Sequence, residues 1–306
     1  MLRHVAGRTG QALVTIWGVL TIVFFALHLS GDPTLLLVPP DATAHQIAAL
    51  RHQLGFDRPL AVQYLSYLGH LARLDLGQSL VQRLPVATIL AARIPYTLEL
   101  SAGALLVAAG IGLPAGAAMA LWRGRWVERA LAPLVLAGQS LPTFWSGILM
   151  ILLFGVVLGW LPTSGAQGFA SLIMPAVALG ALTMSTFARM MRVAMLDELG
   201  RDYVTAGRAR GLSLGAVVLR HVLRNAAIPV VTVAALEIGN LMAGAVIVET
   251  VFAWPGIGQL AIQSIASRDF LVVQAVVLFV SVVYVLCSLL ADLAYAVIDP
   301  RIRLSG

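Results

Sequence analysis

The chain contains no lysine. All 20 basic residues are arginines, set against 14 acidic residues, and charged residues fill only 11% of 306 positions. The missing lysine excludes a Walker A phosphate loop, which needs one to reach the nucleotide phosphates, and excludes Schiff-base chemistry. Cysteine is nearly absent as well: Cys287 stands alone, so no internal disulfide can form and no cysteine-based metal site is expected. The six histidines (His4, His28, His45, His52, His70, His221) put no metal-ligand pair on a long apolar run. His45 and His52 read as a solvated helix face. No His-Glu-x-x-His and no Gly-x-Ser-Gly occurs, so neither an intramembrane protease nor any other enzyme is expected. Soluble domains carry about 25% charged residues. The shortage here, with 59% hydrophobic residues and repeated apolar runs, indicates an integral membrane protein. The net charge of +6 borders those runs, so membrane topology accounts for it and nucleic acid does not.

Six apolar runs are long enough to span a bilayer: 9–29, 98–121, 131–158, 172–195, 228–251 and 271–298. The first is too long for a signal-peptide core and reads as an uncleaved helix. The fold class is therefore all-α and polytopic, with three chain regions: a start and first span (1–29), an insertion (30–94) and a five-helix core (95–306). With both termini cytoplasmic, 14 arginines fall in or beside 1–8, 122–130, 196–227 and 299–306, and the short outer loops hold only Arg268. That asymmetry satisfies the positive-inside rule, from which the long insertion is exempt. The insertion lies outside the cytoplasm and is folded. One amphipathic helix begins near Thr43 and stops at Gly55. The next begins with Pro59 and places Tyr64, Leu68, Leu71 and Leu74 on one face. A third follows Pro85 and ends before Pro95. Pro114 and Pro142, inside spans, are expected to kink them.

The segment 189–229 interrupts the apolar chain with seven arginines and three acids. Asp202 suits the N-cap of a helix over 203–210, Gly211 suits its left-handed terminator, and Ser213 can cap a second helix through Val222. Asn225 and Pro229 then mark the start of the fifth span. A compact two-helix element at the membrane face results, and the small residues Ala206, Gly207 and Ala209 allow another surface to approach.

The run from Asp202 to Ser213 and the run from Arg220 to Thr232 resemble the inner-membrane permeases of bacterial ABC importers, in particular the first permease subunit of the dipeptide/oligopeptide/nickel group. Further similar stretches are Gly31-Asp32-Pro33, Leu54 to Leu60, Asp75 to Ser79, Thr97 to Leu100, Ser140 to Trp145, Glu249 to Gly258, and Asp299 to Arg303. The resemblance implies that 202–211 is the coupling helix seated in a groove of an ATPase. Its contacts would come from Asp202, Thr205, Ala206, Gly207, Arg208 and Arg210, with Gly211 as the turn. Thr205 stands where that family's loop has Glu. The resemblance also implies a second homologous permease, two cytoplasmic ATPases that hold ATP and Mg, and an extracytoplasmic solute-binding protein. It implies no cofactor on this chain. Dipeptides, longer peptides, glutathione and nickel or metallophore complexes are all carried by such relatives. An ion-coupled secondary transporter is the alternative of a different class, but the halves show no inverted repeat.

Ionisable groups inside spans usually face protein or water. Glu99 sits at the edge of the second span and Asp292 near the end of the sixth. Glu237 lies deeper, with Asn240 and Gly244 one and two turns on along the same face. Glu237, Asn240 and Pro142 are the pathway candidates, and a pathway carboxylate would favour cationic solutes. Met184, Met190, Met191 and Met195 read as packing residues. Trp254, Pro255 and Gly256 cannot continue a helix and are expected to form a gate-closing turn at the outer mouth.

Overall fold

In the computed structural model, the described residues are 2–29, 31, 32, 34, 38 and 41–298, with side chains excepted at 2–6, 8, 9, 232, 235 and 290–298. The side chains of Arg3, His4, Arg8 and Asp292, and all of Pro33 and 299–306, therefore lie outside the description. The described chain is helical, without named strands, and has one isolated bridge between Gln78 and Pro85. The helices are α1 (Leu2–Leu29), α2 (Ala44–Leu54), α3 (Leu60–Ala72), α4 (Val86–Leu121), α5 (Trp126–Ser140), α6 (Thr143–Met150), α7 (Phe169–Leu199), α8 (Asp202–Ala209), α9 (Leu214–Val217), α10 (Leu223–Val251), α11 (Ile257–Ala266) and α12 (Phe270–Ile298). Wide π turns extend α6 over Ile151–Val157 and join α9 to α10 over Val218–Val222. Five helices among the described residues are long and apolar enough to cross a membrane, and the bent pair α5 and α6 raises the number to six. Counted as one span, the bent pair gives the expected number of six.

Four sequence expectations change. The helix after Pro85 does not stop before Pro95 but runs on as the 36-residue α4, with Pro95 and Pro114 inside it. With no water in the apolar region to satisfy freed backbone groups, ending a helix there costs more than losing one bond to a proline. Leu74 lies beyond α3 at positive φ (59°) and is 88% exposed, so only Tyr64, Leu68 and Leu71 share the face. Pro142 does more than kink the third span: α5 ends, Pro142 caps α6, and the pair bends by 107°. The helix that begins at Ser213 does not end before Pro229. It passes through its π turn into α10, and Pro229 sits inside that rod.

The chain divides into two units: 1–96 with 255–285, and 97–254 with 286–306. In the first, Thr43 and Gln46 make a reciprocal capping box at the start of α2. Gly55 ends α2 at φ 76°, with Phe56 N donating to Arg51 O and Gly55 N to His52 O, a Schellman arrangement. Phe24 of α1 packs on Tyr64 and Tyr67 of α3 and Phe25 on Tyr64, while His28 stacks on Phe24 and meets Gln63 Oε1 at 3.1 Å. A second core joins Val86, Ile89 and Leu90 from the first turns of α4 to Ile257 and Leu260 of α11 and Val272, Ala275 and Val276 of α12. Buried Asp269 accepts hydrogen bonds from Ser79 Oγ and from Leu80 N (3.3 Å), holding the 77–85 loop.

In the second unit, α4 and α7 meet backbone to backbone. A Cβ on Gly116 would lie 2.3 Å from the Ala188 carbonyl oxygen, one on Gly112 2.5 Å from Met184 O, and one on Gly180 2.6 Å from Ala104 O. Gly112 and Gly116 form a small-xxx-small pair, the pattern that lets helices approach closely in lipid, where the hydrophobic effect gives no drive to associate. The two larger apolar cores of this unit are built along α7. Phe187, Met191 and Met195 form one core with Val204, Val217, Val218, Val222, Ala226 and Val230. Leu100, Met174, Leu179, Leu241, Phe252 and Trp254 form the other. Met184, Met190, Met191 and Met195 all contribute to the first core, as packing residues would.

Candidate functional site

The two-helix element 202–222 lies wholly in the second unit and is built into a helix core. Arg201 is the extended residue before α8, so Asp202 is its first helical residue and not its N-cap. Its carboxylate still sits where the helix dipole favours negative charge. Val204 points inward and is buried with Met195 and Val217. Asp202, Thr205, Ala206, Arg208, Ala209 and Arg210 are exposed. Gly207 is half-buried, and a Cβ there would stand 3.3 Å from Val217 Cγ2. Gly207 therefore serves the packing of α8 on α9, and the surface open to a partner is carried by its neighbours.

The turn is made as its residue types require. Gly211 has φ 86°, a conformation costly for any residue with a Cβ. Leu212 N donates to Gly207 O at 3.2 Å and Gly211 N to Arg208 O at 3.0 Å, which satisfies the last carbonyls of α8. Ser213 Oγ accepts from Ala216 N at 3.3 Å and caps α9. Nothing in the structure explains Thr205.

Glu198, near the end of α7, is not among the residues that sequence pattern singles out. Tyr203 Oη donates to its Oε2 at 2.8 Å, Asn225 Nδ2 to the same oxygen at 3.2 Å, and Arg201 Nε pairs with Oε1 at 3.1 Å. Burial pushes the Tyr203 phenol up, and its hydrogen bond to the Glu198 carboxylate adds to the shift. Glu128 is held in a similar way against the same long helix. Arg192 donates to its Oε1 through Nε (2.8 Å) and through Nη2, and Gly124 N donates to Oε2 at 2.6 Å.

Further along α7 and α10, Thr183 Oγ1 donates to Glu237 Oε2 at 2.9 Å and Asn240 Nδ2 to Oε1 at 3.4 Å. Glu237 is half-buried and Asn240 exposed, so the structure brings these two candidates together. Pro142 is exposed at the α5–α6 bend and is not part of this hydrogen-bonded group. Glu99 is exposed.

The breaker cluster forms a non-helical turn at 252–256 that protein covers. Trp254 is 1% exposed, packed in the core with Phe252, and its backbone N–H donates to the Glu249 carbonyl oxygen at 2.8 Å. Ala253 takes positive φ (49°). Gly256 precedes α11, a helix where the breaker residues predict only a turn. Glu249 is fully buried and accepts from Thr97 Oγ1 at 2.7 Å. A carboxylate inside an apolar run was the available signal for it. Among the described residues no group of three or more His, Cys, Asp or Glu side chains could hold a metal.

Comparison with known proteins agrees with this architecture. Residues 112–304 match the family described as "Binding-protein-dependent transport system inner membrane component", and residues 1–101 match its N-terminal companion family. The chain is 43% identical over 304 residues, 99% of both chains, to a protein of Salmonella choleraesuis (strain SC-B67) named "Glutathione transport system permease protein GsiC". It is 41% identical over 304 residues, again 99% of both, to the protein of that name in Escherichia coli (strain K12). Among solved structures, an inward-facing MetNI methionine ABC transporter chain is similar in fold, with a TM-score of 0.60 at 22% identity, covering 70% of this chain and 98% of that one.

Proposed function

Because the chain belongs to the family of binding-protein-dependent transport system inner membrane components, we propose that it is the permease subunit of an ATP-driven importer of short peptides, with glutathione the first substrate to test. The observation that carries the substrate class is the 43% identity, over 99% of both chains, to a permease named for glutathione transport. Under this reading the exposed side of α8, with Asp202, Thr205, Ala206, Arg208 and Arg210, seats in a groove of a separate ATPase. Gly207 fixes α8 to its brace and Gly211 sets the turn between them. ATP and Mg are held by two such ATPases, since a chain without lysine has no Walker A loop. A second homologous permease and an extracytoplasmic solute-binding protein complete the assembly. Segment 196–227 and both termini face the cytoplasm.

The mechanism is alternating access. Closure of the ATPase pair displaces the seated α8, and a rigid α8 carries that displacement into α7 and α10, because its Val204 shares a core with both. The solute delivered by the binding protein passes Glu237 and Asn240. A carboxylate there attracts the amino group that every linear peptide, glutathione included, carries at neutral pH.

The test is reconstitution in proteoliposomes with the ATPases, second permease and binding protein encoded beside this chain. ATP-dependent uptake of labelled glutathione, of dipeptides and of chelated nickel is then compared. Glutathione or dipeptide uptake that needs ATP and the binding protein is the expected result. Uptake of nickel alone would overturn the peptide assignment. Uptake driven by an ion gradient without ATP would overturn the importer.

A further inference from the structure

We propose that Glu198 is the positioning residue that couples α8 to the long helices on either side of it. The inference rests on the reading of α8 as the ATPase-seated helix and goes beyond it by naming the joint. The hydrophobic core holds α8 in place, but its contacts are non-directional and tolerate sliding. Glu198 supplies the directional contacts. It stands in the last turn of α7 with its side chain 15% exposed, and accepts from Tyr203 of α8 and Asn225 of α10 on one oxygen. Its other oxygen pairs with Arg201, the extended residue that precedes α8. One carboxylate thus collects three donors, from the linker between α7 and α8, from α8 and from α10. A phenol is protonated at neutral pH in any case, so Tyr203 is a donor there, and burial pushes its ionisation further up. Arg201 is 64% exposed, so its pair is the weakest of the three. The carboxylate is shared, so loss of Glu198 frees Tyr203 and Asn225 together. The Arg192–Glu128 pair instead ties α7 to α5 and to the turn at Gly124, so it does not bear on α8.

Two measurements test this. In the assembled transporter, solute moved per ATP hydrolysed is compared between wild type, Glu198→Ala, Glu198→Gln and Tyr203→Phe. The expected result is a roughly five-fold or greater loss of solute per ATP in Glu198→Ala, with hydrolysis retained. Tyr203→Phe should give a smaller loss that adds nothing in the Glu198→Ala background, and Glu198→Gln, which keeps an acceptor oxygen, should restore part of it. A general loss of fold would lower uptake and hydrolysis in parallel, and that result overturns the proposal. In the purified full chain, hydrogen exchange of the 202–209 amides is followed without any partner. Both Glu198→Ala and Tyr203→Phe are expected to speed that exchange roughly five-fold while 172–190 is unchanged. Unaltered protection of 202–209 in both variants overturns the joint, whatever the transporter assay shows. A wild-type assembly without ATP-driven uptake instead overturns the importer reading, and the exchange result then still decides the joint.

Discussion

Thr97 Oγ1 donates to Glu249 Oε1 at 2.7 Å, and both side chains are buried. The two residues belong to different helices, α4 and α10, so the bond ties the start of α4 within this unit to the end of α10. Removing one partner leaves the other's polar atom with a bond fewer in an apolar setting, at a cost of about 1–3 kcal/mol. Thr97→Val preserves shape and is expected to lower the thermal unfolding midpoint of the detergent-solubilised protein. Glu249→Gln, which keeps an acceptor, should lower it less than Glu249→Ala. Equal midpoints in wild type and Thr97→Val would show that the bond contributes nothing.

The packing of α4 on α7 makes a sharper prediction. A Cβ on Gly116 would meet the Ala188 carbonyl oxygen at 2.3 Å, and a backbone atom cannot rotate away as a side chain can. Gly116→Ala should therefore force the helices apart and cost about 1–3 kcal/mol. Gly110 lies on the same helix, and a Cβ there would have nothing within 4 Å, so Gly110→Ala should be neutral or stabilising by about 0.4–1 kcal/mol. Thermal unfolding of the pair, side by side, separates close approach from a general effect of alanine. Similar losses in both variants would refute the packing account.

These contrasts mark what the sequence makes legible. Caps are local chemistry, so Thr43 with Gly55 and Ser213 with Gly211 are placed correctly from residue type and spacing, while Asp202 falls one residue inside α8 because Arg201 takes the N-cap. Spans are legible because length and hydropathy suffice. What escaped depends on partners far along the chain. Glu249 finds Thr97 across 152 positions, Asp269 finds Ser79 across 190, and Glu198 finds Asn225 across 27. No periodicity encodes those meetings. Prolines mislead in both directions for one reason. A proline limits its own backbone but does not decide whether the surroundings favour a continuous rod, as at Pro95, or a sharp bend, as at Pro142.

Tyr67, in the first unit, lines a cavity of about 330 Å³ with His28, Gln63 and Gln274. Its hydroxyl is buried without a hydrogen-bond partner among the described residues, and burial pushes its ionisation up to about 12. The neutral form is thus the one present throughout the physiological range, and deprotonation would only begin to destabilise the fold in strong alkali, above the unfolded value of about 10. Tyr67→Phe removes the unpartnered hydroxyl and keeps the ring against Phe24. It is expected to leave stability equal or raised by up to about 1 kcal/mol, and to remove a late-titrating phenol from an ultraviolet absorbance titration. A large loss of stability in this variant would mean that the hydroxyl has a partner.

Gly211 allows the turn of the α8–α9 element to be tested apart from its packing. Nothing lies within 4 Å of a Cβ built there, so the only penalty of a substitution is its φ of 86°. Asn tolerates that region better than other side chains. Gly211→Asn should therefore retain most uptake. Gly211→Asp, which also adds a negative charge beside Arg208 and Arg210, is expected to reach the membrane at normal levels yet lose substrate-stimulated ATP hydrolysis. Normal uptake by Gly211→Asp would remove α8 from the coupling machinery.

Glu237 is the residue on which solute preference should turn. It lies half-buried on α10, receives Thr183 from α7, and stands one turn from exposed Asn240. Two roles are consistent with those contacts, and they predict different data. If the carboxylate meets the passing solute, Glu237→Gln keeps the size and the hydrogen bond from Thr183 but loses the charge. Uptake of peptides with a free amino terminus should then fall roughly ten-fold, the scale of one charge-assisted hydrogen bond, while uptake of the N-acetylated peptides is unaffected. If Glu237 only braces α7 against α10, Glu237→Gln changes both substrates equally or neither. Thr183→Val supplies the complementary measurement. It removes the brace and leaves the charge, so it should lower stability without altering the ratio of the two uptakes. A ratio that shifts with Thr183→Val and stays fixed with Glu237→Gln would take the carboxylate out of the pathway.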